Sequence, residues 1–179
     1  MERDYSYIDT KKSILTRTLC FKDSVLNIIN AGIVIVGFSI FASFFIFSIN
    51  RDIDSNVIDD YTYFIFKIIG AIICIYIVYR KLTEKKLFSI KTNLSKDQAR
   101  QIIDNYFERL KYRSWNSTVD MASYSDNSTF LGVYNYFILP LDNEILFTVI
   151  KDQERLPLPA IITLWTTRSD LKRLLSRHA

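Results

Sequence analysis

Two stretches of the chain are apolar on every face, whereas the remainder alternates with helical or strand period. The 25 residues from Val25 to Ile49 include no charged side chain, and between Tyr61 and Tyr79 the only one is Lys67. Built as helices at 1.5 Å per residue, these stretches reach about 37 Å and about 28 Å, enough to cross a hydrocarbon core near 30 Å. They predict two transmembrane helices joined by a short acidic loop. A secretory signal fits the first stretch poorly. It is too long for an h-region, has no evident cleavage site and is followed by a second apolar run.

After Tyr79 the pattern becomes that of a water-soluble domain. KLFSIKT reads as a strand. Ser95, with Gln98 three residues later, forms a capping-box signature. Ala99, Ile102, Ile103, Tyr106 and Leu110 then mark one apolar face, predicting a helix from Lys96 to Lys111. From Trp115 the period shifts to two, through Ser117, Val119 and Met121. SDNS at 125–128 reads as a turn, and a strand is expected from Thr129 to Leu139. Pro140, Asp142 and Asn143 mark the next turn, and EILFTVI the next strand. QERLPLP reads as a loop, because its prolines do not fit a central strand. AIITLW reads as a last strand, and Ser169 as the cap of a short final helix carrying Leu171, Leu174 and Leu175.

The predicted fold is therefore two transmembrane helices plus a cytoplasmic α+β domain. That domain is a mainly antiparallel sheet with one long covering helix and a short C-terminal helix. The division is 1–24 as an N-terminal segment, 25–79 as the hairpin and 80–179 as the domain.

Charge sets the expected orientation. Arg3, Lys11, Lys12, Arg17 and Lys22 precede the first span, and Arg80, Lys81, Lys85 and Lys86 follow the second. The loop between holds Arg51 against Asp52, Asp54, Asp59 and Asp60. The positive-inside rule puts the loop outside and both termini in the cytoplasm, as for a multi-pass protein of the inner membrane. Residues 80–179 hold 16 Lys and Arg against 11 Asp and Glu. A mildly basic domain close to a bilayer is expected to meet anionic headgroups rather than nucleic acid.

Lys67 is the costly residue of the second span. Two readings stay open: its ammonium snorkels to the acidic outer interface, or it faces a water-filled lumen built from several copies. Tyr63, Lys67, Gly70 and Cys74 recur at i, i+4, i+7 and i+11 and form the candidate pore-lining stripe. In the first span Gly32, Ser39 and Ser43 share a face and are helix-packing candidates.

Composition narrows the chemistry. Two cysteines, Cys20 and Cys74, one histidine, His178, and four glycines leave no disulfide framework, Cys/His metal cluster or Gly-rich phosphate loop. No cofactor or metal is expected, and no enzyme activity apart from one candidate. That candidate is the C-terminal SDLKRLLSRHA, where Arg173 and His178 have the R-x4-H spacing of HEPN ribonucleases. In those enzymes histidine and arginine from two subunits converge on the RNA backbone. A basic last turn facing the negative end of a helix dipole accounts for the same residues without catalysis.

The two spans, FSIKTNLSKDQARQIIDNYFERL, FILPLDNEILFTVIKDQERLPLP and RSDLKRLL together resemble a broad group of small two-span bacterial membrane proteins. The size, the anchor and the Arg173/His178 spacing also resemble the membrane accessory proteins of type VI-B CRISPR systems. That resemblance implies a homo-oligomeric, ring-shaped membrane pore with a divergent HEPN-like motif. It would act in antiviral defence beside an RNA-guided nuclease or its RNA and perturb the membrane potential. Two alternatives remain: a membrane effector gated by a cyclic nucleotide or oligonucleotide on the cytoplasmic domain, and a membrane-anchored HEPN-like ribonuclease.

Overall fold

A computed structural model describes residues 8–21, 25–54, 61–126, 132–152, 160 and 162–177. The chain forms two units, one of Val25–Thr83 and one combining Met1–Ser24 with Glu84–Ala179.

The discontinuous unit is built on a five-stranded antiparallel sheet. After the short helix α1 (Thr10–Thr16) and the two long helices α2 (Val25–Asp54) and α3 (Tyr61–Leu82), the order is β1 (Phe88–Lys91), α4 (Lys96–Arg109), β2 (Arg113–Ser114), β3 (Ala122–Asp126), β4 (Val133–Leu141), β5 (Glu144–Asp152) and α5 (Ile162–Ser176). The strands lie in the order β1-β5-β4-β3-β2. One face carries Tyr124, Tyr136, Ile138, Ile145, Phe147 and Val149, covered by Ala99, Ile103 and Phe107 of α4 and by Leu164, Leu171 and Leu175 of α5. Both sheet faces are buried along β4 and β5, so these strands read as continuous apolar runs.

The expected capping box is present. Ser95 accepts from the Gln98 N–H, and the Gln98 side chain accepts from the Ser95 N–H. Asp97 in the first turn adds a favourable charge at the positive end of the helix dipole. Ser95→Ala is expected to cost about 1 kcal/mol, read as a lowered unfolding midpoint of the full chain in detergent. The helix ends at Arg109, two residues short of the expected Lys111. Lys111 is left-handed at φ 58, and the Tyr112 N–H turns back to the Phe107 carbonyl at 3.1 Å.

Several expected elements differ. AIITLW is not a strand: Ile162–Trp165 opens α5, whose buried Leu164, Thr167, Leu171 and Leu175 follow helical spacing. The β-branched residues there matter less than that stripe, which packs on the core. Ser169 accordingly lies inside the helix, and α5 is as long as α4, so two matched helices cover the sheet where one long and one short helix were expected. Trp115–Met121 is not a strand either. Asn116 has φ 43, a tight turn links the Thr118 N–H to the Met121 carbonyl at 2.8 Å, and Val119 is 84% exposed. β3 begins only at Ala122, so Ser125 and Asp126 extend a strand where a turn was expected. Pro140 is not in the turn but in β4, opposite Ile145. β4 pairs with β3 no further than Ile138, so Pro140 has a strand on one side only, which proline tolerates. The turn itself is Asp142–Asn143, with Asn143 at φ 63. Asn127 and Ser128 of the expected turn, the start of the expected Thr129 strand and the QERLPLP loop lie outside the described residues.

Residues 8–21, expected as a segment apart from the domain, fold onto the other face of the sheet. Leu19 is buried there with Leu87, Met121, Phe137, Leu139, Leu146 and Ile150, and Ile8, Ile14 and Phe21 pack around them. Asp9 caps α1 by accepting from the Lys12 N–H at 2.9 Å. The segment is then fastened alongside residues 85–87. The Leu19 N–H donates to the Lys85 carbonyl at 2.8 Å, and the Leu87 N–H to the Arg17 carbonyl at 2.9 Å. The Arg17 guanidinium meets Glu144 at 2.7 Å, and together with the Ser89 hydroxyl it holds that carboxyl below its usual pKa.

The other unit is the hairpin of α2 and α3. Their lengths of 30 and 22 residues correspond to about 45 Å and about 33 Å. Both are long and apolar enough to cross a membrane. They pack through Val34 and Ala42 on α2 and Ala71, Cys74 and Ile77 on α3, and leave most of their remaining surface apolar and open.

Candidate functional site

Within the hairpin, Lys67 turns toward α2. Its ammonium is 2.5 Å from an Asp52 carboxylate oxygen and 4.6 Å from the centre of the Tyr63 ring. Only 9% of the residue is exposed. A β-carbon added at Gly70 would stand 2.9 Å from the Phe45 ring, so α2 and α3 approach closely there. Cys74 is buried along the same line. Three of the four pore-lining candidates, Lys67, Gly70 and Cys74, therefore face the neighbouring helix of their own chain, while Tyr63 is 63% exposed.

The small residues of α2 lie elsewhere. Ser39 and Ser43 are exposed, and the Ser43 hydroxyl donates back to the Ser39 carbonyl at 2.9 Å. A β-carbon at Gly32 would meet nothing within 4 Å. This face is not the one that packs on α3.

The terminal pair is only partly visible. Arg173 is on the outer side of α5, 3.3 Å from Asp170, and its side chain is 70% exposed. His178 lies outside the described residues.

The α+β unit holds a cleft that none of these candidates announces. Its volume is about 220 Å³. Tyr106, Phe107 and Leu110 come from the C-terminal end of α4, and Tyr112 from the turn after it. Asp126 comes from β3, Tyr134 and Tyr136 from β4, and Thr163, Thr166, Thr167 and Asp170 from α5. Register explains the sheet side. Asp126 is opposite Tyr134, which is opposite Lys151, and the next row pairs Tyr124 with Tyr136 and Val149. Directly opposed residues share a face, so the row that ends the apolar core brings an acid, a phenol and an amine together.

A stack of rings holds the cleft open. Phe107 lies 4.2 Å from Tyr124 in a near-parallel stack, 5.3 Å from Tyr136 and 5.7 Å from Tyr112. Such pairs add about 0.5–1.5 kcal/mol each beyond burial. Two of the phenols pair with carboxylates. Tyr106 donates to Asp170 at 3.4 Å, and Tyr124 to Asp104. Burial, reinforced by the Asp170 charge, pushes Tyr106 up to about 12. Burial likewise raises Tyr112, Tyr124 and Tyr136, so these phenols stay protonated at neutral pH. Burial lowers the Lys151 amine, which stands 5.6 Å from the Tyr134 ring.

The sequence carried one signal for this cleft: Tyr134 and Tyr136 alternate on one face of a strand that follows an acid-ended strand. Compared with known proteins, the chain matches no family model and no curated sequence.

Proposed function

We propose that the chain is a two-span membrane protein that presents its α+β unit, and the cleft in it, to the cytoplasm. The carrying observation is the open apolar surface of the hairpin. Only 11% and 22% of the most apolar parts of α2 and α3 are buried. A core helix of a soluble protein is mostly buried, and so broad an apolar surface is stable in lipid rather than water. Two features support the topology. The segments entering and leaving the hairpin fold into one unit, which requires an even number of crossings. The basic flanks and acidic loop give the direction.

The chain is expected to stay in the membrane pellet through alkaline carbonate extraction. A tag after residue 179 should be protected from protease in intact cells, and a tag within 55–60 should be cleaved. Extraction into the supernatant, or a C-terminal tag cut from outside, sinks this reading.

A second reading is the homo-oligomeric pore of antiviral defence that the type VI-B resemblance implies, working with an RNA-guided nuclease. It is favoured by the Gly32, Ser39 and Ser43 face, which α3 leaves unused and which suits close approach of another copy. On this reading the lumen is lined by groups other than the Lys67–Asp52 pair, which is closed within one chain. Its tests are cross-linking of a Ser39→Cys variant in membranes and a dye-reported membrane potential in cells with an activated nuclease. Monomeric cross-linking with an unchanged potential would remove it.

A further inference from the structure

We propose that the outward side of α5 docks on an anionic lipid surface, with Ile162 and Trp165 entering the headgroup region and Arg168, Lys172 and Arg173 meeting its negative charge. The proposal deepens the two-span reading and rests on it.

The first support is that α5 has an apolar group on its outside as well as its inside. Leu164, Thr167, Leu171 and Leu175 turn inward and close the core. On the other side Ile162 is 75% exposed and Trp165 73%. The two stand three positions apart, which makes them neighbours on a helix surface. One exposed apolar side chain is ordinary. Two large ones side by side, rimmed by polar groups, mark an interaction surface.

The second support is charge along the same side. Arg168 and Lys172 follow Trp165 at i+3 and i+7, and both are exposed. Arg173 lies next to Lys172 with its side chain 70% exposed, in an exposed pair with Asp170. Pairs of that kind are weak, so the guanidinium is available to a stronger partner. Asp170 is the one acidic residue of α5.

The third support identifies the occupant. Indole prefers the boundary between lipid and water, and basic side chains beside it reach headgroup charges, the composition of a helix that lies in that boundary. An acidic protein would match the charge as well, but the bilayer has the advantage of attachment. Residues 83–87 alone join α3 to β1, about 20 Å of chain at full stretch. On the two-span reading a lipid surface is therefore always within reach of the unit, and docking on it is an intramolecular event.

The test follows the fluorescence of Trp165 in the full chain, in nanodiscs of brominated phosphatidylcholine alone or mixed with phosphatidylglycerol. The chain holds two tryptophans, and Trp115→Phe leaves Trp165 as the only one. Should that variant lose its fold by circular dichroism, the difference between the parent and Trp165→Phe gives the same signal. Strong quenching by lipid is expected in the anionic discs and little in the neutral ones. A basic side chain at an anionic surface is worth about fivefold in the docked-to-free ratio. Arg168→Gln with Lys172→Gln should therefore lower that ratio by about 25-fold. The proposal is overturned if anionic discs leave Trp165 unquenched, if neutral discs quench it equally, or if the folded double variant is quenched like the parent. A Trp165 shielded from aqueous acrylamide but not quenched by lipid would assign this side of α5 to a protein contact, and overturns the proposal too. The carbonate extraction is a separate readout. A chain that leaves the pellet, while vesicles of the anionic mixture still quench Trp165, fails the two-span reading alone. A chain that stays in the pellet with Trp165 unquenched fails this proposal alone.

Discussion

Replacing Phe107 with alanine should destabilise the α+β unit by about 3–5 kcal/mol, the range for removing a fully buried phenylalanine. Phe107 is 1% exposed and touches the rings of Tyr106, Tyr112, Tyr124 and Tyr136. Its removal deletes the near-parallel stack with Tyr124 and opens a void between α4 and the sheet. Small domains are stable by about 5–15 kcal/mol in total, so this single change takes a large share. The near-UV dichroism of the full chain in detergent should lose its aromatic signal at a much lower denaturant concentration. Val119→Ala, at a site 84% exposed, should leave the midpoint within about 0.5 kcal/mol of the parent. A Phe107→Ala midpoint equal to that control would mean that the ring cluster does not hold the unit.

The second large effect belongs to the hairpin. Asp52→Ala deprives the Lys67 ammonium of its carboxylate while the amine stays on the α2 side of α3. Removing one partner of a buried pair costs about 3–5 kcal/mol, and a lone ammonium in a span costs about 2.5–3.5 kcal/mol on insertion scales. Unfolding of the hairpin in mixed micelles should shift by about 3 kcal/mol. The double variant Asp52→Leu with Lys67→Leu should recover most of that loss, because apolar groups replace both charges at once. A double variant as unstable as Asp52→Ala alone would show that the two residues do not act as a pair. The same variants bear on the pore reading: conductance that survives the double variant excludes Lys67 from the lumen.

The elements that local chemistry specifies were legible in the sequence. The two apolar helices follow from runs too long and too uniformly greasy for anything else in the chain. The start of α4 follows from Ser95 and Gln98, whose side chains act within one turn. The pairing of β4 with β5 follows from a short turn between two apolar runs. What the sequence did not yield depends on distant partners. Ile162 and Thr163 favour a strand locally, but the spacing of Leu164, Leu171 and Leu175 against the core makes a helix. Residues 8–21 show little apolar periodicity, yet Leu19 and its neighbours cover a sheet whose β4 and β5 lie more than 100 positions later. Lys67 could be recognised as costly, but Asp52 as its partner emerged only when α2 was seen to continue past the apolar run to Asp54. The cleft was hidden for the same reason: its two carboxylates are 44 positions apart, and register brings one of them beside the tyrosines.

If both helices span a membrane, the docking of residues 8–21 across the back of the sheet ties folding of the α+β unit to insertion of the hairpin. On the two-span reading, a molecule that threads only one helix leaves its beginning and its end in different compartments. Phe137, Leu139, Leu146 and Ile150 would then meet water bare, a greasy flag that chaperones and proteases read. On that reading a copy with one helix threaded cannot close the sandwich, so folding would separate singly threaded molecules from doubly threaded ones.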